Sequence, residues 1–573
     1  MVNTSPVAVT STQGPGNREQ GDPELCTLFV VRCTLSFTGE FMSEKKNIAR
    51  AAGVLGFATV LSRIMGMVRD MVVSRMFGAG FATDAFFAAF QIPNMLRRFF
   101  AEGALTSAFV PTFSEWYTQK GKDEARNLAN ICFTLLTIVM ALITLLGVVF
   151  SPQIVQLMFP GFNHQAALLL PDGRSITKPE LTVFLNRLMF PYIFFISLVA
   201  LCMGILNTMR HFFTPAISTV FLNISMITCA VFLHNRFDVP IISLAIGVLA
   251  GGLLQLVLQL PTLYSLGFPI RPCFNFSHPA VRKIALLMGP AVFGVGVYYL
   301  NITVGNILAS LLPQGSVSYL YYAQRLFEFP QGIFTVSVAQ AILPSMSRQA
   351  AAGEMDGLKD SLAFGLRLTL FITIPAMVGL LICSIPIFSL LFMGGEFDYG
   401  KVVNCSEALF YYSLGLSLVA LVRVLVPAFY ALQDTRTPVQ VAFVAFILNL
   451  LFSLALMGPL RHGGLALAST LSALFQMAML IYLLRGKIGR FGGRRIALTG
   501  GKTLIASLPL AVVVYWIIQF ADWSVAGHKL FKGAVLGGAI GGGITIFLIS
   551  AHILRIDEVS EAAGMLRKRI GRK

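Results

Sequence analysis

The sequence predicts an all-α integral membrane protein with fourteen transmembrane helices: two pseudo-symmetric six-helix lobes and two C-terminal helices. Only 12% of the 573 residues are charged, and the mean hydropathy is +0.76, whereas about 25% of the residues of soluble proteins are charged. Apolar runs of about 20 residues, the length that crosses a bilayer as a helix, recur along the whole chain. An internal repeat divides these runs into the two lobes.

Fourteen apolar runs are long enough to span a bilayer. They fall at residues 48–77, 81–110, 128–151, 184–208, 213–234, 238–262, 281–312, 316–345, 359–384, 404–432, 437–457, 462–485, 501–521 and 529–553. An even number of spans places both termini on one side of the membrane. Lysine and arginine concentrate in the loops on that side, most densely from Arg485 to Lys502 and from Arg567 to Lys573. By the positive-inside rule, we expect both termini in the cytoplasm.

Three pairs of segments repeat at nearly one offset. They are Ser197–Leu201 with Ser417–Leu421, Thr214-Pro215 with Thr437-Pro438, and Leu244-Ala245 with Leu465-Ala466, at offsets of 220, 223 and 221 residues. One such match between apolar helices can arise by chance, but three at nearly one offset indicate a repeat. A period of six helices preserves orientation, so the lobes are parallel repeats with the expected cargo cavity between them.

The repeat and the composition divide the chain into five segments. These are a disordered or spurious N-terminal extension (1–41), an N-lobe of spans 1–6 (42–265), a C-lobe of spans 7–12 (266–490), the last two helices with a lipid-tail groove (491–556) and a basic cytoplasmic tail (557–573).

Span 1 carries charges that lipid-facing helices rarely contain. Arg63, Arg69 and Asp70 all lie within it, and a charge at the bilayer centre costs at least a few kcal/mol, about 2.5–3.5 even on lenient scales. Arg63 and Asp70 are seven residues apart and therefore project from nearly one face of the helix. The guanidinium is a planar fork of donors that fits phosphate oxygens. The surplus of arginine predicts a wet cavity for an anionic cargo.

Span 2 adds a second set of charges. Asp84 lies near its outer end, Arg98 and Glu102 form an i,i+4 pair, and Arg97 has no obvious local partner. Span 8, which corresponds to span 2 in the repeat, carries Arg325 with Glu328 at i,i+3. These charges fit either a cargo site or salt bridges between the lobes with arginines that reach towards the membrane surface.

Other polar residues allow more than one interpretation. We expect Arg187, Arg367 and Arg423, near the ends of spans, to be structural or to reach towards the membrane surface. Tyr298, Tyr299, Asn301 and Asn306 of span 7 fit helix packing better than a polar contribution to the cavity. The glycine-rich face of span 14, with Gly537, Gly538, Gly541, Gly542 and Gly543, fits either close helix packing or a groove for a lipid tail.

The sequence lacks signatures of catalysis and of metal binding. It contains no Walker A, HExxH or GxSxG motif, and neither the seven histidines nor the eight cysteines show metal-binding spacing. The net charge of +17 does not indicate nucleic-acid binding, because the basic residues lie in loops between apolar runs. We expect a transporter that is not an enzyme and needs no cofactor or metal.

The segment SRIMGMVRDMVVSRMFGAGFATDAFFAAFQIPNMLRRFFAEGALTSAFVP strongly resembles the opening of the MurJ (MviN) lipid II flippases, of the MOP exporter superfamily. YYAQRLFEFPQG and ALQDTRTPV are similar to later motifs of that family. The resemblance covers residues 42–554. It implies two lobes around a central cavity, a hydrophobic groove beside the last two helices, and lipid II as the cargo. It also implies movement of lipid II from the inner to the outer leaflet of the bacterial cytoplasmic membrane.

The residues and the resemblance together give a set of expected site residues. Substrate-binding residues are Ser62, Arg63, Arg69, Arg97 and Arg325, and gating or charge-pairing residues are Asp70, Asp84, Arg98, Glu102 and Glu328. The chain departs from many relatives at Gln324, where they have an acid. Some relatives have a sodium site, but here span 7 lacks an acid and span 11 offers only Asn449. We therefore expect no sodium site.

The expected mechanism is alternating access by a monomer, driven by the membrane potential or an ion gradient, with lipid II and membrane lipids as partners. Two alternatives remain at this point. Another exporter of the superfamily, for oligosaccharide-lipids or drugs, would share the fold, although a cavity for cationic drugs should be acidic. A non-transporting membrane scaffold would leave the buried charges and the lobe repeat unexplained.

Overall fold

The computed structural model describes residues 58, 60–97, 105–165, 167–170 and 173–559, which are mostly helical. The helices of the first part are α1 (60–77), α2 (Phe81–Arg97), α3 (Leu105–Lys120), α4 (Lys122–Val149), α5 (Ser151–Met158), α6 (Lys178–Met189), α7 (Tyr192–Thr208), α8 (Phe213–Leu233) and α9 (Ile242–Ser265). Those of the second part are α10 (Pro279–Ser310), α11 (Ser316–Pro330), α12 (Val336–Ala351), α13 (Met355–Leu391), α14 (Tyr399–Leu414), α15 (Leu416–Ala431), α16 (Arg436–Ile488), α17 (Gly493–Ile518) and α18 (Lys529–Ile553).

The predicted all-α membrane fold is confirmed. Within the described residues, eight helices are long and apolar enough to cross a membrane, or nine if α14 and α15, bent by 45°, form one span. The count of fourteen stays a prediction. Several predicted spans correspond to broken helices: α11 and α12, for example, are separated by one π-helical turn, Gln331–Thr335.

Breaks in the long helices occur at residues that disturb regular helix geometry. Pro191 separates α6 from α7, and Gly415 separates α14 from α15. A side chain at Gly415 would place its Cβ 2.7 Å from Thr470 Oγ1. In α16, Arg461 has φ 47° and ψ −128°, which divides this helix between the predicted spans 437–457 and 462–485.

The described part of the connection between α4 and α6, residues 150–165, 167–170 and 173–177, forms an ordered cap. It contains α5, a 3₁₀ helix at Pro160–His164, and a two-stranded antiparallel sheet that pairs β1 (Leu168–Leu169) with β2 (Ser175–Ile176). A capping box then starts α6, because the Thr177 side chain accepts from the Glu180 backbone and the Glu180 side chain accepts from the Thr177 backbone. This cap fixes the position of Lys178, the first residue of α6.

Helices α17 and α18 pack against each other and against α13, around an apolar cluster that includes Leu510, Val514 and Phe547. The glycine-rich face of α18 is divided. A Cβ at Gly543 would lie 2.7 Å from Val514 Cγ2, whereas a Cβ at Gly537 would have no atom within 4 Å. Close packing therefore explains part of this face and leaves another part open.

The predicted tail at 557–573 is described only as far as residue 559. Its first residues are acidic, and Glu558, 2% exposed, lies 3.3 Å from Arg367 Nε. This pair supports the structural role expected for Arg367. The predicted extension at 1–41 and the predicted pair Arg98 and Glu102 lie outside the described residues, as do the side chains of Tyr298 and Tyr299.

Candidate functional site: a cationic cavity between the lobes

The centre of the site is a contact between α1 of the N-lobe and α11 of the C-lobe. Arg69 donates to Asp70 Oδ1 from Nε at 3.0 Å and from Nη2 at 2.7 Å. It also donates to Asn223 Oδ1 and to the Tyr321 hydroxyl, each at 3.2 Å. Arg69 and Asp70 are buried, at 8% and 3% exposure. The fork of one arginine thus joins three helices, α1, α8 and α11.

Arg325 reaches the same point from the C-lobe. It donates to the Tyr321 hydroxyl at 3.1 Å, and its guanidinium lies 5.0 Å from the centre of the Tyr321 ring. Its Nε is 3.9 Å from Asp70 Oδ2, and its Nη1 is 3.7 Å from Glu328 Oε2, the expected i,i+3 partner. Charges of the two lobes therefore meet here. Tyr321, which sequence analysis missed, accepts from both arginines.

A cavity of about 630 Å³ lies beside this contact, and we call it the arginine cavity. Five arginines and two carboxylates line it: Arg63, Arg69, Arg97, Arg325, Arg423, Asp70 and Glu328. Its lining is therefore cationic. A second cavity of about 390 Å³ shares several lining residues with it, including Asn94, Arg325, Glu328 and Arg423. The two cavities are contiguous along these residues.

Two expected residues of α1 lie at the edge of the arginine cavity. Ser62 Oγ accepts from Thr219 at 3.0 Å. Arg63 packs on the π-helical turn, since a Cβ at Gly332 would lie 2.0 Å from Arg63 Nη1. The described residues provide no ion-pair partner for Arg63, which leaves its fork available to a ligand.

The expectations for two arginines need correction. Arg97 was expected to lack a local partner, but its Nε donates to Asn94 Oδ1 at 3.1 Å, one helical turn earlier. Arg423 was assigned a structural or membrane-surface position, but it lines both cavities, because α15 turns this side chain inwards. Arg187 is exposed and donates to the Val148 carbonyl at 3.3 Å, as a structural arginine would.

Asp84 does not line either cavity. It lies at the end of the bundle where α1 ends and α2 begins, here called the outer end, and accepts four hydrogen bonds. Lys178 Nζ donates to Oδ2 at 2.8 Å, and the Gly315 backbone donates to the same oxygen at 2.7 Å. The Ser318 backbone and hydroxyl donate to Oδ1 at 2.9 and 2.6 Å. The carboxylate therefore caps the N-terminus of α11, where the helix dipole favours an anion.

Lys178 occupies one of the few basic loop positions on the side opposite the termini by sequence alone, but the structure buries it as the first residue of α6. It is 0% exposed, donates to Gln165 Oε1 at 2.5 Å as well as to Asp84, and lies 4.7 Å from the centre of the Phe162 ring. The ordered cap before α6 encloses it. Nothing in the local sequence distinguishes Lys178 from an exposed lysine at the start of a helix.

Two further contacts join the lobes at the outer end. Arg75 Nη2 donates to the Leu391 carbonyl at 2.7 Å and so caps the last turn of α13. The Gly161 backbone donates to Ser310 Oγ at 3.2 Å, and a Cβ at Gly161 would lie 2.2 Å from the Ser310 carbonyl oxygen. Together with Asp84, these contacts hold the outer ends of the lobes together.

Known proteins resemble this chain in both sequence and fold. The family model described as lipid II flippase MurJ matches residues 73–532. The "Probable lipid II flippase MurJ" of Vibrio cholerae is 37% identical over 520 residues, covering 89% of this chain and 97% of that protein. The "Lipid II flippase MurJ" of Burkholderia cenocepacia is 35% identical over 488 residues, covering 83% and 92%.

Two solved structures illustrate the structural similarity. "Lipid II flippase MurJ, inward closed conformation" has a TM-score of 0.70 at 26% identity and covers 88% of this chain and 99% of that chain. An inward-facing multidrug resistance MATE family transporter of the MOP superfamily has a TM-score of 0.63 at 13% identity, covering 75% and 95%. The second similarity concerns the fold alone.

Proposed function

The chain belongs to the MurJ lipid II flippase family, and we propose that it moves lipid II from the inner to the outer leaflet of the bacterial cytoplasmic membrane. The observation that carries this proposal is the arginine cavity between the lobes, with five arginines against two carboxylates. The diphosphate of lipid II is the anion that these arginines would bind. Arginine stays charged at any physiological pH and matches phosphate oxygens with two parallel donors.

The arginines would engage the diphosphate in two steps. Arg63 is exposed and has no ion-pair partner among the described residues, so it is available first. Arg69 and Arg325 already donate to Asp70 and Tyr321. Phosphate oxygens that replaced these acceptors would loosen the contact between α1 and α11. Substrate binding would thereby weaken a connection between the lobes, as alternating access requires.

Opening of the outer end would complete the transfer. The donors from Gly315 and Ser318 to Asp84 would separate from it with the C-lobe. A membrane potential that is negative inside would favour outward movement of an anionic headgroup, by about 2.3 kcal/mol per charge per 100 mV. We propose this potential, or an ion gradient, as the driving force.

The remaining parts of the mechanism concern the lipid and the membrane. The prenyl tail would stay in the bilayer or along the open part of the α18 face, where Gly537, Gly538 and Gly541 have no neighbouring atom within 4 Å of an added Cβ. The protein would act as a monomer. Both termini would lie in the cytoplasm, as the distribution of basic loop residues indicates.

The test is complementation of a bacterial strain depleted of its lipid II flippase. We expect the wild-type chain to restore growth, and Arg63→Ala, Arg69→Ala and Arg325→Ala to fail although they reach the membrane in normal amounts. Arg187→Ala is the matched control, because Arg187 is an exposed arginine outside both cavities, and it should complement. Failure of the wild-type chain despite normal insertion, or full activity of all three cavity variants, would contradict the proposal.

A further inference from the structure

The second cavity differs chemically from the arginine cavity. Its C-lobe walls carry side-chain amides from four elements: Asn301 and Asn306 of α10, Gln324 of α11, Gln331 of the π-helical turn and Asn449 of α16. The ionised side chains that line it, Arg325, Glu328 and Arg423, all line the arginine cavity as well. We call this second space the amide cavity. Away from the shared boundary, its described lining is uncharged and combines these amides with apolar side chains such as Phe87, Ile302 and Leu465.

Three buried amide atoms around this space have no hydrogen-bond partner among the described residues. They are Asn306 Nδ2, Gln331 Nε2 and Asn449 Oδ1. Gln331 is only 2% exposed and Asn449 only 9%. An unsatisfied buried polar group costs about 1–3 kcal/mol, and most such groups in folded proteins find a partner. Three of them on one cavity indicate a surface built to meet polar groups of a ligand.

The types of these atoms specify the ligand. Two are donors and one is an acceptor, so the ligand must both accept and donate hydrogen bonds. Hydroxyl and acetamido groups do both, whereas a carboxylate or phosphate only accepts. One hydrogen bond within the lining connects two of these amides: Asn449 Nδ2 donates to Asn301 Oδ1 at 2.8 Å.

We propose that the amide cavity binds the saccharide of the cargo, through its hydroxyl and acetamido groups, while the diphosphate occupies the arginine cavity. This inference rests on the proposed function. It follows from connectivity as well as from chemistry, because the sugar is bonded directly to the diphosphate and the two cavities share Arg325 and Glu328 at their boundary. A volume of about 390 Å³ lies in the range of small-molecule sites, about 300–1,000 Å³.

The test compares two ligands that differ in the saccharide. Binding of lipid II and of undecaprenyl diphosphate, which lacks the sugar, is measured on the purified full-length chain by native mass spectrometry. We expect Asn306→Leu and Asn449→Leu to weaken lipid II binding about fivefold or more, the equivalent of one lost hydrogen bond, and to leave undecaprenyl diphosphate binding unchanged. Asn127→Leu, on α4 and lining neither cavity, is the control and should change neither affinity.

Each contrary outcome has a distinct meaning. Equal weakening of both ligands, or unchanged lipid II binding in both variants, would overturn the saccharide site. A further contrary result concerns cations. If sodium chloride raised the thermal unfolding temperature of the wild type more than choline chloride did, and Asn449→Leu abolished this difference, the amide oxygens would bind a cation. That result would also overturn the saccharide site. If the wild type bound both ligands equally, only this inference would fail. If it bound neither, the proposed function would fail too. If the variants at the buried positions do not fold, Gln324→Leu replaces them in the same comparison of the two ligands, because Gln324 is exposed on α11 and lines the amide cavity.

Discussion

Lys178 Nζ lies 2.8 Å from Asp84 Oδ2, with 0% and 1% of the two side chains exposed. Both residues belong to the N-lobe segment, 94 positions apart, whereas the other donors to Asp84 come from Gly315 and Ser318 of the C-lobe segment. Separation of the lobes at the outer end would thus remove the C-lobe donors and leave the ion pair intact. Lys178 would then keep the charge of Asp84 neutralised in both arrangements.

Lys178→Met should be strongly destabilising. It leaves the Asp84 carboxylate buried without its counter-charge, which costs about 3 kcal/mol or more. Thermal unfolding of the purified protein measures this effect. Lys401→Met is the matched control, because Lys401 forms a more exposed pair with Asp398, and such pairs contribute about 1 kcal/mol or less. In the double variant with Asp84→Asn, part of the lost stability should return, and strictly additive effects would contradict this pairing.

Arg69→Lys should reduce transport about tenfold or more, although it preserves the charge. A lysine cannot reproduce the fork that reaches Asp70, Asn223 and Tyr321 at once. Growth rates in the depleted strain, corrected for the amount of protein in the membrane, provide the measurement. Arg187→Lys serves as the control and should behave as wild type. Normal transport by Arg69→Lys would show that charge alone suffices at this position.

Gly161→Ala should weaken the closure of the outer end. The new Cβ would lie 2.2 Å from the Ser310 carbonyl oxygen, and overpacking of this kind costs about 1–3 kcal/mol. We expect a lower thermal unfolding temperature and less efficient complementation. Gly379→Ala, on α13 with nothing within 4 Å of the added Cβ, should leave both unchanged. Equal effects of the two substitutions would refute the close approach between Gly161 and Ser310.

The two parts of the glycine-rich face of α18 should respond differently to one substitution. Gly543→Val should force α17 and α18 apart and lower stability, since even a Cβ at this position would meet Val514 at 2.7 Å. Gly537→Val should leave stability unchanged, because its Cβ would meet nothing within 4 Å. Thermal unfolding of both variants distinguishes the two parts, and similar losses would contradict the division.

The loop between α15 and α16 gives a pH-dependent prediction. The Lys487 ammonium, 2.8 Å from Asp434, and then the Thr437 hydroxyl hold the pKa of Asp434 well below its usual value. A carboxylate with a depressed folded-state pKa stabilises the fold above its unfolded pKa of about 3.9, and this contribution disappears as the pH falls through the folded value. Asp434→Asn should therefore have a lower thermal unfolding temperature than the wild type at pH 7. The difference between the two unfolding temperatures should shrink below about pH 4. A constant difference across this range would exclude the ionic contribution.

The sequence predicted the features that local patterns encode. Arginines stand out in apolar runs because burial of their charge is costly, so Arg63, Arg69 and Arg325 were predicted to be site residues, and all three line the arginine cavity. The repeat assigned Arg69 and Arg325 to spans of opposite lobes, with the predicted cavity between them.

Features that depend on distant contacts were missed. Lys178 resembles any lysine at a helix start until the cap and Asp84 enclose it. Tyr321 resembles a packing aromatic until two arginines from different lobes share its hydroxyl. Arg423 was misassigned because its position near the end of a span does not reveal which way α15 turns the side chain.

The π-helical turn at Gln331–Thr335 sets the register of the helix that follows it. A turn of this kind contains about one residue more than an α-helical turn, and one residue rotates everything beyond it by about 100°. Deletion of a single residue from this turn would hardly change the amino-acid composition of the helix. It would nevertheless turn Ala339, Ile342 and Met346 away from the apolar cluster that they share with α13. The length of this turn, more than the identity of its residues, lets one span line the cavity with Arg325 at its start and pack into the C-lobe beyond it.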